Sequence, residues 1–249
     1  MSSRRFVPTE IWGDKLQIDK LERHEPKWHF VAAPCQKSGV CRCCGFHKPC
    51  TEGAIIVAID NACREVGTET RAAFGVYFSI SSPFNVGGLL PKGCRTDNRA
   101  ELATAIEAFR AIAQMCALPP PAPRFGDQMK QLIIKTSSDY VVTSMVMHVE
   151  HWRRTGFRDS RGFLIKNADL LRSLDNLVCD VEKAGPVDVR FWLVSSVQNK
   201  QAQKLASAVL DGVDYKRFTK DDFFGEAFEC LRNPGPPQPS QRSNGRPSG

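Results

Sequence analysis

Residues able to do chemistry fall in three places along the chain. Asp60 closes the run Ala54–Ile59, in which Ile55, Ile56, Val57 and Ile59 form a short, mostly β-branched apolar stretch. Such a run suits a strand covered on both faces, and an acid at its end points into a cleft with few neighbours to solvate it. The plainer alternative is an aspartate that starts a turn. Glu101 lies one turn into the segment Thr96–Cys116. Its plainer alternative is a carboxylate at the positive end of a helix dipole. The third place is Cys35–Cys50. Zinc takes four soft or borderline ligands in a tetrahedron, and Cys41, Cys44, His47 and Cys50 supply such a set as CxxC followed by HxxC. No second pair stands a dozen residues away, as it does in most ribbons and fingers. The alternative is therefore a cysteine-rich loop packing its thiols under an N-terminal arm.

The composition is that of a globular protein. The chain has 249 residues, 42% hydrophobic and 24% charged, enough for one large domain with a sizeable core. A net charge of +7 suits a polyanionic partner. No stretch resembles a membrane span, and Met1–Pro8 is polar with no apolar h-region behind it. The expectation is an intracellular protein, nuclear or cytoplasmic, without a membrane partner and monomeric by default. In a reducing compartment its ten cysteines should be thiols or metal ligands. Cys63, Cys94, Cys116, Cys179 and Cys230, scattered along the chain, read as small buried hydrophobes.

The elements that must position these residues follow from periodicity. Residues 1–52 read as an N-terminal arm carrying the Cys/His cluster, 53–212 as the main domain, and 213–249 as an extension with a disordered tail. Within the domain, Gly53–Asp60, Arg71–Ile80 and, more weakly, Asn85–Gly93 read as strands. Thr96–Cys116 is the strongest helix, with Leu102, Ile106, Phe109 and Ile112 at helical spacing. Prolines 119, 120, 121 and 123 mark a surface connection. Gln131–Lys135 is a fourth strand, followed by a helix through Met145, Val149 and Trp152. Ala168–Lys183 is a helix, Val187–Val194 a fifth strand and Asn199–Asp211 a closing helix. Phe218–Cys230 adds a short helix.

In this order the residues resemble the type 1 ribonuclease H family. Ile59–Cys63 (IDNAC) looks like its first-strand motif. Thr96–Leu102 (TDNRAEL) closely matches its helix motif, whose acid is Glu101 here. Thr136–Val141 (TSSDYV) resembles the fourth-strand motif. Trp152, Gly156, Phe157 and Ile165–Leu171 (IKNADLL) match a further segment, and Gln201–Ala206 lies where the closing helix carries its last acid. The resemblance covers about Gly53 to Leu210. It implies an α/β ribonuclease H-like fold, a five-stranded mixed sheet flanked by helices.

The same resemblance implies an endonuclease that cuts RNA–DNA hybrid with two Mg²⁺ (or Mn²⁺) ions about 4 Å apart, clamping the attacking and leaving oxygens. Four carboxylates offset the repulsion of the two dications. Carried over residue by residue, Asp60 and Glu101 match the first two as catalytic and metal-binding positions. The third falls on Ser137 and the fourth on Gln203, both neutral. The family's histidine after the fifth strand has no counterpart among Ser195, Ser196 and Val197. Asp139, two residues past Ser137, is turned about 200° from it on a helix. Asp97 occupies a slot where the family usually has an amide, and there it would repel phosphate.

The substrate contacts implied are Asn98 in the minor groove, Trp152 along the DNA strand, and Lys166, Arg153, Arg154 and Arg158 on phosphates. Trp152 also reads as core, and the arginines as a solvated face. Three functions are open from these residues: a domain that binds RNA–DNA hybrid or double-stranded RNA with cleavage lost or strongly reduced, holding one Mg²⁺ weakly; an active ribonuclease with a rearranged site; or a protein-interaction module docking through the arm or tail.

Overall fold

The computed structural model describes residues 4–13, 21–25, 30–33, 53–66, 68–80, 82–92, 94, 97–116, 129–185 and 187–213. The Cys41, Cys44, His47 and Cys50 set lies outside them, as do the helix expected over Phe218–Cys230 and the C-terminal tail.

A short helix α1 (Pro8–Trp12) starts with proline at its first turn, where no amide is needed. Strands β1 (Arg23–Glu25) and β2 (Phe30–Ala33) follow. Next come β3 (Gly53–Val66), β4 (Glu69–Tyr77), β5 (Val86–Leu89) and α2 (Asp97–Cys116). Strand β6 (Met129–Thr136) leads into α3 (Asp139–Thr143), a π-helical stretch Ser144–His148 and α4 (Val149–Arg154). The chain continues through α5 (Ala168–Ala184), β7 (Asp188–Leu193), a 3-10 turn Ser196–Asn199 and α6 (Lys200–Leu210).

All seven strands form one mixed sheet organised on β3. The apolar run Ile55, Ile56, Val57 and Ile59 is fully buried, as a strand covered on both faces must be. Along one edge β3 pairs in parallel with β6, from Gly53↔Met129 to Ile59↔Thr136, and β6 pairs in parallel with β7. Along the other edge the antiparallel partner changes. Strand β2 takes Ala54–Ile56 and β4 takes Ala58–Val66. The five strands expected are thus joined by two more, both N-terminal to Gly53. Residues 4–6 also line the outer edge of β7, where the Phe6 amide donates to the Phe191 carbonyl at 2.9 Å and the Phe191 amide to that of Arg4 at 2.8 Å. Covering this edge removes a template for pairing with other chains.

Successive side chains of β7 face opposite layers. Phe191 meets Phe109 of α2, with ring centroids 6.5 Å apart, while Trp192 meets Phe6 edge-on at 5.5 Å. The first layer is α2 packed with α5. The second combines Phe6, Leu21, Val31 and Ala33 from the N-terminal region with Ala202 of α6. Gly75 of β4 lets α6 approach. A Cβ there would lie 2.3 Å from the Ala202 carbonyl oxygen and 2.8 Å from the Ala206 amide nitrogen. Gly75→Ala is therefore expected to push α6 outward and lower stability by roughly 1–3 kcal/mol. The check is a lower urea midpoint at unchanged m-value. An unchanged midpoint contradicts the close approach.

Two expectations need correction. The first strand does not end on Asp60 but runs to Val66, because β4 continues to pair with it through Val66↔Glu69. Cys63, on that two-stranded ribbon, is exposed rather than buried; Cys94 is buried and Cys179 half-buried.

Candidate active site

Register builds the site. The last pair between β3 and β6 is Ile59↔Thr136, so the next residues, Asp60 and Ser137, emerge side by side where β6 stops. The acid faces a cleft because its parallel neighbour ends there, although its own strand does not. Asp60 is half-buried. Burial pushes its carboxyl above the usual aspartate range, and the nearby Glu101 charge adds to this. Hydrogen bonds from the Asn61 amide, the Asn199 side chain and Ser137 act in the opposite direction.

Glu101 enters from the second turn of α2, half-buried, and one carboxylate oxygen accepts the Ser138 hydroxyl at 2.7 Å. Ser138 also caps α3, its oxygen accepting the Val141 amide at 3.0 Å. Asn199 is fully buried beneath the cleft. Its Nδ2 donates to the Ile59 carbonyl at 2.8 Å and to Asp60 Oδ2 at 3.1 Å, and its Oδ1 has no partner. The side chain of this residue, which stands just before α6, makes no cap hydrogen bond. Sequence reasoning missed both Ser138 and Asn199. Their one signal was a cap-forming residue type at a helix start, and that signal names the helix rather than the carboxylate.

The other candidates occupy varied surroundings. Gln203 is exposed on α6, one turn past Asn199, and Asp97 is exposed in the first turn of α2. Asp139 is exposed and accepts the Thr143 hydroxyl at 3.4 Å, within its own helix. Ser195 closes a capping box with Gln198 and is exposed with Ser196 and Val197. Asn98 is half-buried, Lys166 is exposed, and Trp152 is half-buried with its ring 5.1 Å from that of His148.

The arginines divide. Arg153 does not stand free for phosphate. Two bonds of 2.9 and 2.5 Å tie it to the buried Asp175, which raises its pKa further. Arg154 donates to the Glu150 carbonyl and Arg158 to that of Gly162, main-chain acceptors rather than carboxylates. Arg99 forks onto Asp169 and holds that carboxyl below its usual range.

Among the described residues no group of three His, Cys, Asp or Glu side chains is placed to hold a metal ion. Asp60 and Glu101 face one another's charge, and the groups hydrogen-bonded to them are hydroxyls and amides. That donor set does not fit a pair of dications.

Residues 52–210 match the sequence pattern of the RNase H family. The chain belongs to that family, and its domain is of the type 1 kind. Over 159 residues it is 31% identical to Ribonuclease H1 of Mus musculus, a match covering 61% of this chain and 49% of the mouse protein. Over 120 residues it is 32% identical to Ribonuclease H of Thermosynechococcus vestitus, covering 47% of this chain and 66% of that protein. Among solved structures, LC9-RNase H1 aligns with a TM-score of 0.44 and 24% identity over 78% of this chain and 97% of that one. The chain spans about half the length of the mouse relative. No helix among the described residues is long and apolar enough to cross a membrane.

The pKa of Asp60 yields a test. A carboxyl raised in the folded state contributes stability below its ordinary value of 3.8 and loses it as pH rises through the folded value. With divalent metals chelated, Asp60→Asn is expected to raise the Tm at neutral pH, with the gain shrinking as pH falls toward 3.8. A gain independent of pH contradicts the burial penalty.

Proposed function

We propose that residues 53–212 bind RNA–DNA hybrid, or a related duplex such as double-stranded RNA, with cleavage lost or strongly reduced. The observation that carries this reading is the donor set at the end of β3 and β6. It comprises two carboxylates, Asp60 and Glu101, hydrogen-bonded to Asn199 and Ser138, with neutral Ser137 beside Asp60. Two dications 4 Å apart repel by roughly 16 kcal/mol at an effective dielectric near 20. Two carboxylates offset that poorly. They suffice for one Mg²⁺ or Mn²⁺ that keeps several waters and leans on substrate phosphate. Asn98, Trp152 and Lys166 are the residues assigned to the nucleic acid, and membership in a family whose relatives are named ribonucleases supports a duplex ligand.

The experiment mixes purified protein with labelled hybrid in Mg²⁺ or Mn²⁺ and follows binding and cleavage together. The expected result is binding that weakens as salt rises, because phosphate contacts release counterions, with little or no product. Robust cleavage abolished by Asp60→Asn would identify an active enzyme with a rearranged site. Absence of binding at low salt would identify a protein-interaction module.

A further inference from the structure

The loop between α4 and α5 is tightly built yet displays a large aromatic ring to solvent. Phe157 anchors its base. It is buried at φ 59°, donates its amide to the Trp152 carbonyl at 2.7 Å, and lies under the Arg172 guanidinium, 5.3 Å from the ring centre. Arg158 and Leu164 form an antiparallel bridge, and the Asp159 amide donates to the Phe163 carbonyl at 2.8 Å. The Asp159 carboxylate turns inward, accepting the amides of Arg161 and Phe163 at 2.9 and 3.0 Å. On this scaffold Phe163 stays 67% exposed and Leu164 58%.

Two observations choose the partner. Phe163 and Leu164 are the exposed large apolar side chains of this loop, too few for the broad apolar patch that a protein partner needs. A single ring is what a nucleobase needs. Charge favours the same partner. From Arg154 through Lys166 the chain carries four basic residues and one acid, Asp159. Arg161 is 80% exposed with its guanidinium 3.7 Å from that acid, and Lys166 is exposed. The base of the loop is tied to Trp152, a candidate duplex contact, through the Phe157 amide. Little entropy is lost in fixing a loop already held this way.

We propose that Phe163 is a stacking platform for an unpaired base of a single strand that continues from the bound duplex, with Arg161 and Lys166 taking the adjoining phosphates. This rests on the reading that the chain binds nucleic acid.

The test is fluorescence anisotropy on the full chain without divalent metal, using three probes: a blunt RNA–DNA hybrid, the same hybrid with a short single-stranded extension on either strand, and a glutamate-rich peptide containing aromatic residues. The extension is expected to tighten binding of the native protein by about tenfold. Phe163→Ala should erase that increment and leave the blunt hybrid unchanged, and Phe163→Trp should retain it. Equal native affinities for blunt and extended hybrid overturn the proposal, as does an equal weakening of both by Phe163→Ala. Phe163-dependent capture of the peptide with no effect of the extension also overturns it, in favour of a protein partner. A protein that fails to bind even the blunt hybrid, here and again with Mg²⁺ added, sinks the proposed function itself. One that binds it but ignores the extension sinks only this inference.

Discussion

A Ser137→Asp, Gln203→Asp double variant is expected to cut RNA–DNA hybrid on the order of a thousandfold faster than the native protein. Ser137 directly follows the last paired residue of β6 and lies beside Asp60, so a carboxylate there enters the cleft without moving the sheet. Gln203 is exposed on α6, where aspartate meets no steric barrier. Two added anions allow a second dication to be retained. The charge stabilisation such an ion supplies is worth several kcal/mol, and each 1.36 kcal/mol is a factor of ten in rate. The same anions repel Asp60 and Glu101 when no metal is present. The variant should therefore be less stable than the native protein in chelator and should recover its Tm as Mg²⁺ is added, since a ligand that binds only the folded state stabilises it. Removing the strand carboxylate with Asp60→Asn in the double variant should abolish the gain. Hybrid cleavage assays and melting curves read these outcomes. A folded double variant with no gain in cleavage would mean that something other than missing carboxylates silences the cleft.

Glu22→Ala is expected to destabilise the fold by about 3–5 kcal/mol, because it strands a buried charge. Lys135 of β6 is only 3% exposed, and its ammonium ion-pairs with Glu22, which precedes β1. The ammonium also lies 5.5 Å from the centre of the Trp192 ring, within the apolar layer that includes Phe6 and Leu21. A cation there without its carboxylate is desolvated and keeps the Trp192 ring face as its compensation among the described residues. Replacing both partners, as in Glu22→Leu with Lys135→Met, removes the charge problem and should return stability to near the native value. Urea unfolding of the two variants gives the comparison. A Glu22→Ala protein within about 0.5 kcal/mol of native, the range of an ordinary surface change, would show that this N-terminal stretch does not hold the pair in solution.

Much of the fold was legible because its longest elements carry their period openly. The run Ile55–Ile59, the stripe Leu102, Ile106, Phe109 and Ile112, and the ordered motifs from Ile59 to Ala206 all led to the family. Strands β1 and β2 were not legible. They are three and four residues long, too short for alternation to register, and they join the sheet through main-chain bonds that side-chain pattern does not encode. The extension of β3 past Asp60 was hidden for a related reason. Half of Asn61 to Val66 is polar or charged, and β4 pairing rather than apolar burial keeps it extended.

At the site, the positions of Asp60 and Ser137 could be read from the motifs, but their partners could not. Ser138 and Asn199 are residue types that ordinarily satisfy helix starts, and only the folded chain turns them onto Glu101 and Asp60. Arg153 looked available for phosphate because its partner Asp175, on the next helix, has no sequence signature linking it to the arginine.

The central claim is that this cleft retains too few anions for two dications. The most direct measurement is anomalous diffraction from crystals of the protein with bound hybrid, soaked in Mn²⁺. The account predicts no more than one manganese peak between Asp60 and Glu101, lost in Asp60→Asn. Two peaks about 4 Å apart in the native cleft would contradict it.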